Sequence, residues 1–275
     1  MRPGKLKTSI ISWAILSPLL LLCLFPFMVM FFTAIKPQTE IYSPDWFTDQ
    51  PQWRNFIDMW EATNFGTALK NSLYVSIMAT LLALVAAIPA AYALARYRFA
   101  GKQKFRNFLM ITQMLSPIVL ILGLFRLMVL AGVLNDANAV AIIYAAFNLA
   151  FAVWMLESYF LTIPEDLEQA AWMEGAGAFT TLRRVFLPLA LPAIVVTALF
   201  TFINSWNEFV IALTSLRGQE NYTLPIQILS LVSGRYAIEW HFVMAATLVA
   251  TLPIAIIFSW LQRYMVTGLT SGAVK

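Results

Sequence analysis

The sequence predicts an all-α polytopic membrane protein with six transmembrane helices and both termini on the cytoplasmic side. Three observations carry that prediction. Of 275 residues, 60% are hydrophobic and 12% charged, and the mean hydropathy is +0.75; soluble domains carry about twice that charged share. Uncharged or nearly uncharged stretches recur at approximately 10–35, 71–95, 107–130, 137–157, 189–212 and 240–262, each close to the roughly 20 residues a helix needs to cross the hydrocarbon. The basic residues sort between the two faces these spans define. With the N-terminus inside, Arg2, Lys5, Lys7, Arg96, Arg98, Lys102, Lys104, Arg106, Arg183, Arg184, Arg263 and Lys275 fall inside, which is 12 of 18. Lys36, Arg54, Lys70, Arg126, Arg217 and Arg235 fall outside. The short, five-charge loop at 96–106 sets the orientation by the positive-inside rule. The same rule explains the net charge of +4, so the basic balance calls for no nucleic-acid partner; membrane lipid is the partner the composition implies.

Taken in order, the chain opens with a basic stretch and an uncharged run from Thr8 to Ile35. That run is too long for a signal-peptide core and reads as a retained first span. The single cysteine, Cys23, lies within it and has no partner for an internal disulfide. In the outer loop 36–70, Trp53, Phe56, Ile57 and Trp60 share one helical face, with Arg54 and Asp58 off it. Two readings stand: an amphipathic helix at the membrane interface, or a loop helix packed on the bundle. Prolines fall within several spans, which membrane helices tolerate when neighbours satisfy the freed carbonyls.

The inner loop 162–188 is polar and rich in alanine. A capping box, Thr162-Ile-Pro-Glu165, is expected to start its first helix, with Pro164 just inside. Gly175 is expected to stop that helix, because it tolerates the left-handed conformation helix ends often need. The fifth span carries Thr197, Thr201, Asn204 and Glu208 at i, i+4, i+7 and i+11, one continuous stripe. A membrane carboxylate normally faces the bundle interior or water, so the stripe either borders a translocation route or bonds a neighbouring helix. Gln113, Ser116 and Asn148 are weaker candidates of the same kind. The outer loop 217–239 has a polar tip, Arg217, Gly218, Gln219, Glu220, Asn221 and Tyr222, then the apolar run Leu224 to Val232, too short to cross. It either docks a partner or folds back as a re-entrant gate.

Catalytic chemistry has little to work with. The one histidine, His241, stands at the outer start of the last span, and no metal-ligand pair, nucleophile elbow or phosphate-binding loop occurs. The chain therefore carries no nucleotide site of its own.

The inner loop reads Gln169-Ala170-Ala171, three residues, Gly175, nine residues, Val185, one residue, Leu187-Pro188. It resembles the EAA loop of permease subunits in binding-protein-dependent ABC importers, which reads Glu-Ala-Ala, Gly, Ile and Leu-Pro at the same spacing. Gln169 stands where the family has glutamate; Glu168 is adjacent but about 100° away around the helix. Ser205-Trp-Asn-Glu-Phe209, Asn71-Ser-Leu73, Leu224-Pro225 and the ending from Leu261 to Lys275 look like the carbohydrate branch, and in particular the smaller six-span subunit of maltose-type importers.

The resemblance implies a single transmembrane domain over 1–275 with the type I ABC importer fold, in a bacterial or archaeal cytoplasmic (inner) membrane. It implies a second permease subunit, two ATP-binding cassette subunits that bind the ATP and Mg, and an extracytoplasmic substrate-binding protein. No cofactor belongs to this chain. Glu168, Gln169, Ala170, Ala171, Glu174, Gly175, Arg183, Arg184 and Pro188 would couple to the ATPases. The tip at 217–222 would meet the binding protein. A sugar, disaccharide, polyol or glycerol phosphate all suit the branch. The competing class is a stand-alone six-span secondary transporter, for which Glu208 is the candidate ion-coupling carboxylate; an intramembrane enzyme ranks third.

Overall fold

The computed structural model describes residues 3–233 and 238–270. Arg2, Gly234, Arg235 and the ending beyond Thr270, on which parts of the charge count and the resemblance rest, lie outside the described residues. Among these, all regular structure is helical: α1 (Pro3–Ala34), α2 (Asn55–Ala62), α3 (Phe65–Arg96), α4 (Lys102–Met114), α5 (Pro117–Leu130), α6 (Ala137–Phe160) and α7 (Glu165–Met173). They continue as α8 (Ala178–Leu189), α9 (Leu191–Trp206), α10 (Val210–Ser215), α11 (Leu224–Val232) and α12 (Trp240–Thr270). Four of these are long and apolar enough to cross a membrane, and up to six crossings result if the bent pairs α4–α5 and α8–α9 each count once.

The long helices keep their internal prolines: Pro18 and Pro26 in α1, Pro89 in α3 and Pro253 in α12. Pro117 acts differently. The expected continuous span at 107–130 is broken, with α4 and α5 meeting at 97°. A proline ring crowds the residue before it out of the helical region, and Ser116 is extended accordingly at ψ 134°; Leu115 ahead of it is extended too, at ψ 115°. The expected span at 189–212 is also divided. α8 and α9 meet at 80° around Ala190, and the helix stops at Trp206 before the separate turn-and-a-half of α10.

Two compact units result. One comprises residues up to Gly66 together with Gln227–Leu252. Within it α1 is apolar all round from Trp13 onward and exposed from Trp13 to Met28, as a lipid-facing helix should be. Asn55 fastens its end, donating from Nδ2 to the carbonyls of Ala34 (2.9 Å) and Lys36 (3.1 Å). α2 turns Asn55 and Met59 inward, whereas Trp53, Ile57 and Trp60 of the predicted apolar face point outward. The same face also meets neighbouring helices, Trp53 and Phe56 lying against Phe31 of α1 (ring centroids 5.9 and 6.4 Å) and Trp60 against Phe65 of α3 (5.0 Å), so both readings of this helix stand.

The other unit holds Thr67–Ile226 and the chain from Pro253. Its core has two centres. One joins Ala87, Ala91 and Leu94 of α3 to Ala152, Leu156 and Phe160 of α6 and Phe186 of α8. Alanines one helical turn apart let these backbones approach closely, the usual means of packing membrane helices. The second joins Val75 and Ala79 to Val140, Tyr144, Ile211 and Ala212.

Candidate functional site

The loop between α6 and α9 forms a compact helical knob, built differently at its start from what the sequence predicts. The capping box does not form. Pro164 stands at the N-cap of α7 with ψ 138°, and the Thr162 hydroxyl donates backward to the Tyr159 carbonyl at 2.7 Å. Glu165, Asp166 and Glu168 in the first turn favour the positive end of the helix dipole instead. The end of α7 follows the prediction. Gly175 has φ +82°, its N–H donates to the Trp172 carbonyl and that of Ala176 reaches back to Ala171, both at 2.9 Å. This pattern satisfies the last carbonyls of the helix. The chain re-enters the bundle through α8, whose middle, Leu182–Phe186, has the wider π-helical winding.

What fixes the knob to the bundle is a cluster around Arg96, at the end of α3. Its guanidinium is buried; it donates to the carbonyls of Phe160 (3.0 Å) and Ile163, where α6 ends, and lies 4.9 Å above the Phe186 ring of α8. Glu168 of α7 pairs with Arg96 Nε at 3.4 Å and accepts a 2.6 Å hydrogen bond from the Tyr92 hydroxyl. One arginine thus ties α3, α6, α7 and α8 together.

The predicted coupling residues divide on this basis. Glu168 is turned inward as a brace. Gln169, Ala170, Glu174, Gly175, Arg183, Arg184 and Pro188 are exposed, and Ala171 is half-buried. Beside them Met173 and Phe179 project, 89% and 75% exposed. These two apolar side chains, with Tyr92 and Arg96, were not singled out from sequence. The signal for the apolar pair is large hydrophobic residues flanking the glycine stop in an otherwise polar loop; for Arg96, only its place at a span end.

The polar stripe on α9 is also divided. Thr197 and Thr201 are fully buried, Thr197 bonding back to the Ala193 carbonyl at 2.8 Å. Asn204 is exposed and donates to Asn148 Oδ1 of α6 at 3.2 Å, and Asn148 in turn reaches Ser205 Oγ at 3.4 Å. Glu208 accepts the backbone N–H groups of Ile211 (2.9 Å) and Ala212 (3.2 Å), so its carboxylate caps α10.

The tip at 217–222 is held by side chains from α3 and from the loop before α6. Asn71 donates to the carbonyls of Glu220 (2.9 Å) and Tyr222 (3.0 Å), Ser72 Oγ accepts from Leu224 N–H at 2.7 Å, and Asn135 Oδ1 accepts from Arg217 N–H at 2.7 Å. Arg217, Gly218, Gln219 and Glu220 are exposed, while Asn221 and Tyr222 are half-buried. Gly218, at φ +78°, makes the turn. The following apolar run is α11, with Leu224, Ile226 and Leu231 buried rather than lying on a surface. Among the described residues no cluster of His, Cys, Asp and Glu could hold a metal ion.

Comparison with known proteins agrees with this architecture. Residues 79–271 match the family described as the binding-protein-dependent transport system inner membrane component. The chain is 35% identical over 253 residues to the diacetylchitobiose uptake system permease protein DasC of Streptomyces coelicolor, covering 91% of each. It is 32% identical over 257 residues to the trehalose/maltose transport system permease protein MalG of Thermococcus litoralis, covering 93% of this chain and 92% of that one. Among solved structures, a chain of a bacterial ABC transporter that imports the acidic polysaccharide alginate superposes with a TM-score of 0.81 at 22% identity, over 96% of this chain and 98% of that chain. The last likeness is one of fold. The matched span and these relatives place the protein: it belongs to the inner-membrane components of binding-protein-dependent transport systems, multi-pass permease subunits that act as translocation components and not as enzymes.

Proposed function

We propose that this chain is the permease subunit of an ATP-driven importer for a sugar or a related polyol or glycerol-phosphate solute. It would form six spans with cytoplasmic termini, counting each bent pair once, in the inner membrane of a bacterium or archaeon. A second permease completes the pathway, two ATP-binding cassette subunits bind the ATP and Mg and dock on the knob at 162–188, and a soluble binding protein delivers solute to the outer tip at 217–222. The observation that carries this reading is the braced knob: a glycine-stopped helix with exposed Met173 and Phe179, fixed by Arg96 to the helix ends behind it. A rigid body clamped to α3 and to the end of α6 moves them when it is moved, which is what a coupling element has to do. The relatives named for uptake of diacetylchitobiose and of trehalose and maltose support the solute class.

The competing secondary transporter needs an intramembrane carboxylate free to exchange a coupling ion. Glu208 holds two backbone N–H groups instead, which favours the importer. The test is uptake by proteoliposomes containing both permeases, with and without the ATPase subunits. Accumulation that requires ATPase and ATP is expected; accumulation driven by an ion gradient without them would overturn the proposal.

A further inference from the structure

Between α4 and α6, close to the end of α6 from which the knob emerges, lies a cavity of about 560 Å³. Its lining is chemically divided. Phe151 and Trp154 of α6 supply aromatic surface, with Trp154 56% exposed, while Gln103, Arg106, Gln113 and Glu157 supply polar groups. Glu157 is only 6% exposed. Arg106 donates to it through Nε at 2.7 Å and through a second guanidinium nitrogen, and both bonds fall on Oε1. Oε2 therefore remains as an acceptor, in a lining that also holds Gln113 and Gln103, the latter donating from Nε2 to Asn107 Oδ1 at 3.0 Å.

The charge balance limits what can occupy this space. Arg106 and Glu157 cancel, so a few polar groups stand in a wall that is mostly apolar and carries no net charge. An anionic guest would bring a second negative charge beside a buried carboxylate with only one guanidinium to serve both, and the uncompensated charge is costly. A purely apolar guest would cover the remaining acceptors without replacing their hydrogen bonds. A neutral sugar meets both conditions, with hydroxyls for the carboxylate and amides and an apolar C–H face for the Trp154 and Phe151 rings. The volume also lies within the ~300–1,000 Å³ typical of small-molecule sites.

We propose that this cavity is a solute-binding station within the permease, taking a neutral mono- or disaccharide beside the coupling knob. The proposal rests on the import reading above and adds a place in this chain where solute is held. Gln113 is exposed at the cavity wall, so a Gln113→Cys variant in a Cys23→Ser background reports occupancy by its labelling rate. In the assembled importer, held in nanodiscs, trehalose, maltose and diacetylchitobiose are the probes, with glucose 6-phosphate as the anionic control. At about four times the Kd of a bound disaccharide, labelling is expected to slow about fivefold, by the factor 1 + [L]/Kd. Glucose 6-phosphate is expected to leave it unchanged. No slowing with any of the three disaccharides, or equal slowing with the phosphate, overturns the proposal. ATP-dependent uptake by the Cys23→Ser parent separates the two readings: uptake without protection sinks the cavity site alone, whereas uptake independent of the ATPase sinks the import reading. Glu157→Gln in the same reporter leaves Arg106 unpaired, and glucose 6-phosphate should then protect; an inserted variant with unchanged preference rejects the charge argument.

Discussion

Arg96 makes its strongest contacts with main-chain carbonyls, and only an arginine fork can reach two of them while stacking on Phe186 and facing Glu168. Replacing it with glutamine strands a buried carboxylate, and breaking such a pair costs about 3–5 kcal/mol. The Arg96→Gln subunit is expected to insert and pair with its partner, yet show little ATPase stimulation and severely reduced uptake. Arg96→Lys should recover little of this, because a point charge cannot replace the planar fork. Stimulated ATPase activity of wild-type size in Arg96→Gln would refute the brace. Gly175 isolates a different effect. Nothing lies within 4 Å of where its Cβ would stand, so within this chain the penalty of a side chain is the left-handed backbone alone, about 1–2 kcal/mol. Gly175→Asp should therefore lower uptake with insertion intact, and Gly175→Asn, which tolerates that conformation better, should retain more; equal losses, or complete loss in both, would shift the cause from backbone to docking surface. The glycine was legible in the sequence because φ > 0 has few other solutions. Arg96 was not, because its partners are carbonyls, which leave no trace in residue identity.

At the scale of elements, the helical stripe on α9 shows what periodicity conveys and what it omits. Thr197, Thr201 and Asn204 do share a face of α9, with Glu208 past its end at Trp206, but a face is only a direction, and the neighbour it meets changes along the helix. Its inner half packs against α6, its middle bonds Asn148, and its end caps α10. Single cysteines in a Cys23→Ser background should thus label unequally with an impermeant thiol reagent: position 204 readily, positions 197 and 201 at least tenfold more slowly, by analogy with the ~1.4 kcal/mol per factor of ten that opening a packed interface requires. Rapid labelling at 197 would return the whole stripe to the water-filled route. The breaks at Pro117 and Ala190 were hidden for a related reason. Hydropathy measures how apolar a stretch is and says nothing of its direction, while the same residue type continues a helix at Pro89 and bends the path at Pro117.

For the whole molecule, the charge pattern supports one orientation, and the helix count supports up to six crossings. Cysteines placed at Lys104 and Asp49 should label from opposite sides, the first from within and the second from outside; labelling from one side would break the topology. The all-helical class and the general course of the chain were readable because lipid forces long apolar helices on any sequence it surrounds. The cavity pair Arg106 and Glu157 was not readable, since residues 51 positions apart meet only once two helices have packed. The anchoring of the knob has one further consequence. Because Arg96 grips carbonyls at Phe160 and Ile163, side chains at those two positions can drift without releasing it, and no compensating change at Arg96 is demanded. Across related sequences these contacts should therefore leave no covariation signal, so a mechanical linkage of this kind would be invisible to methods that infer contacts from residues changing together.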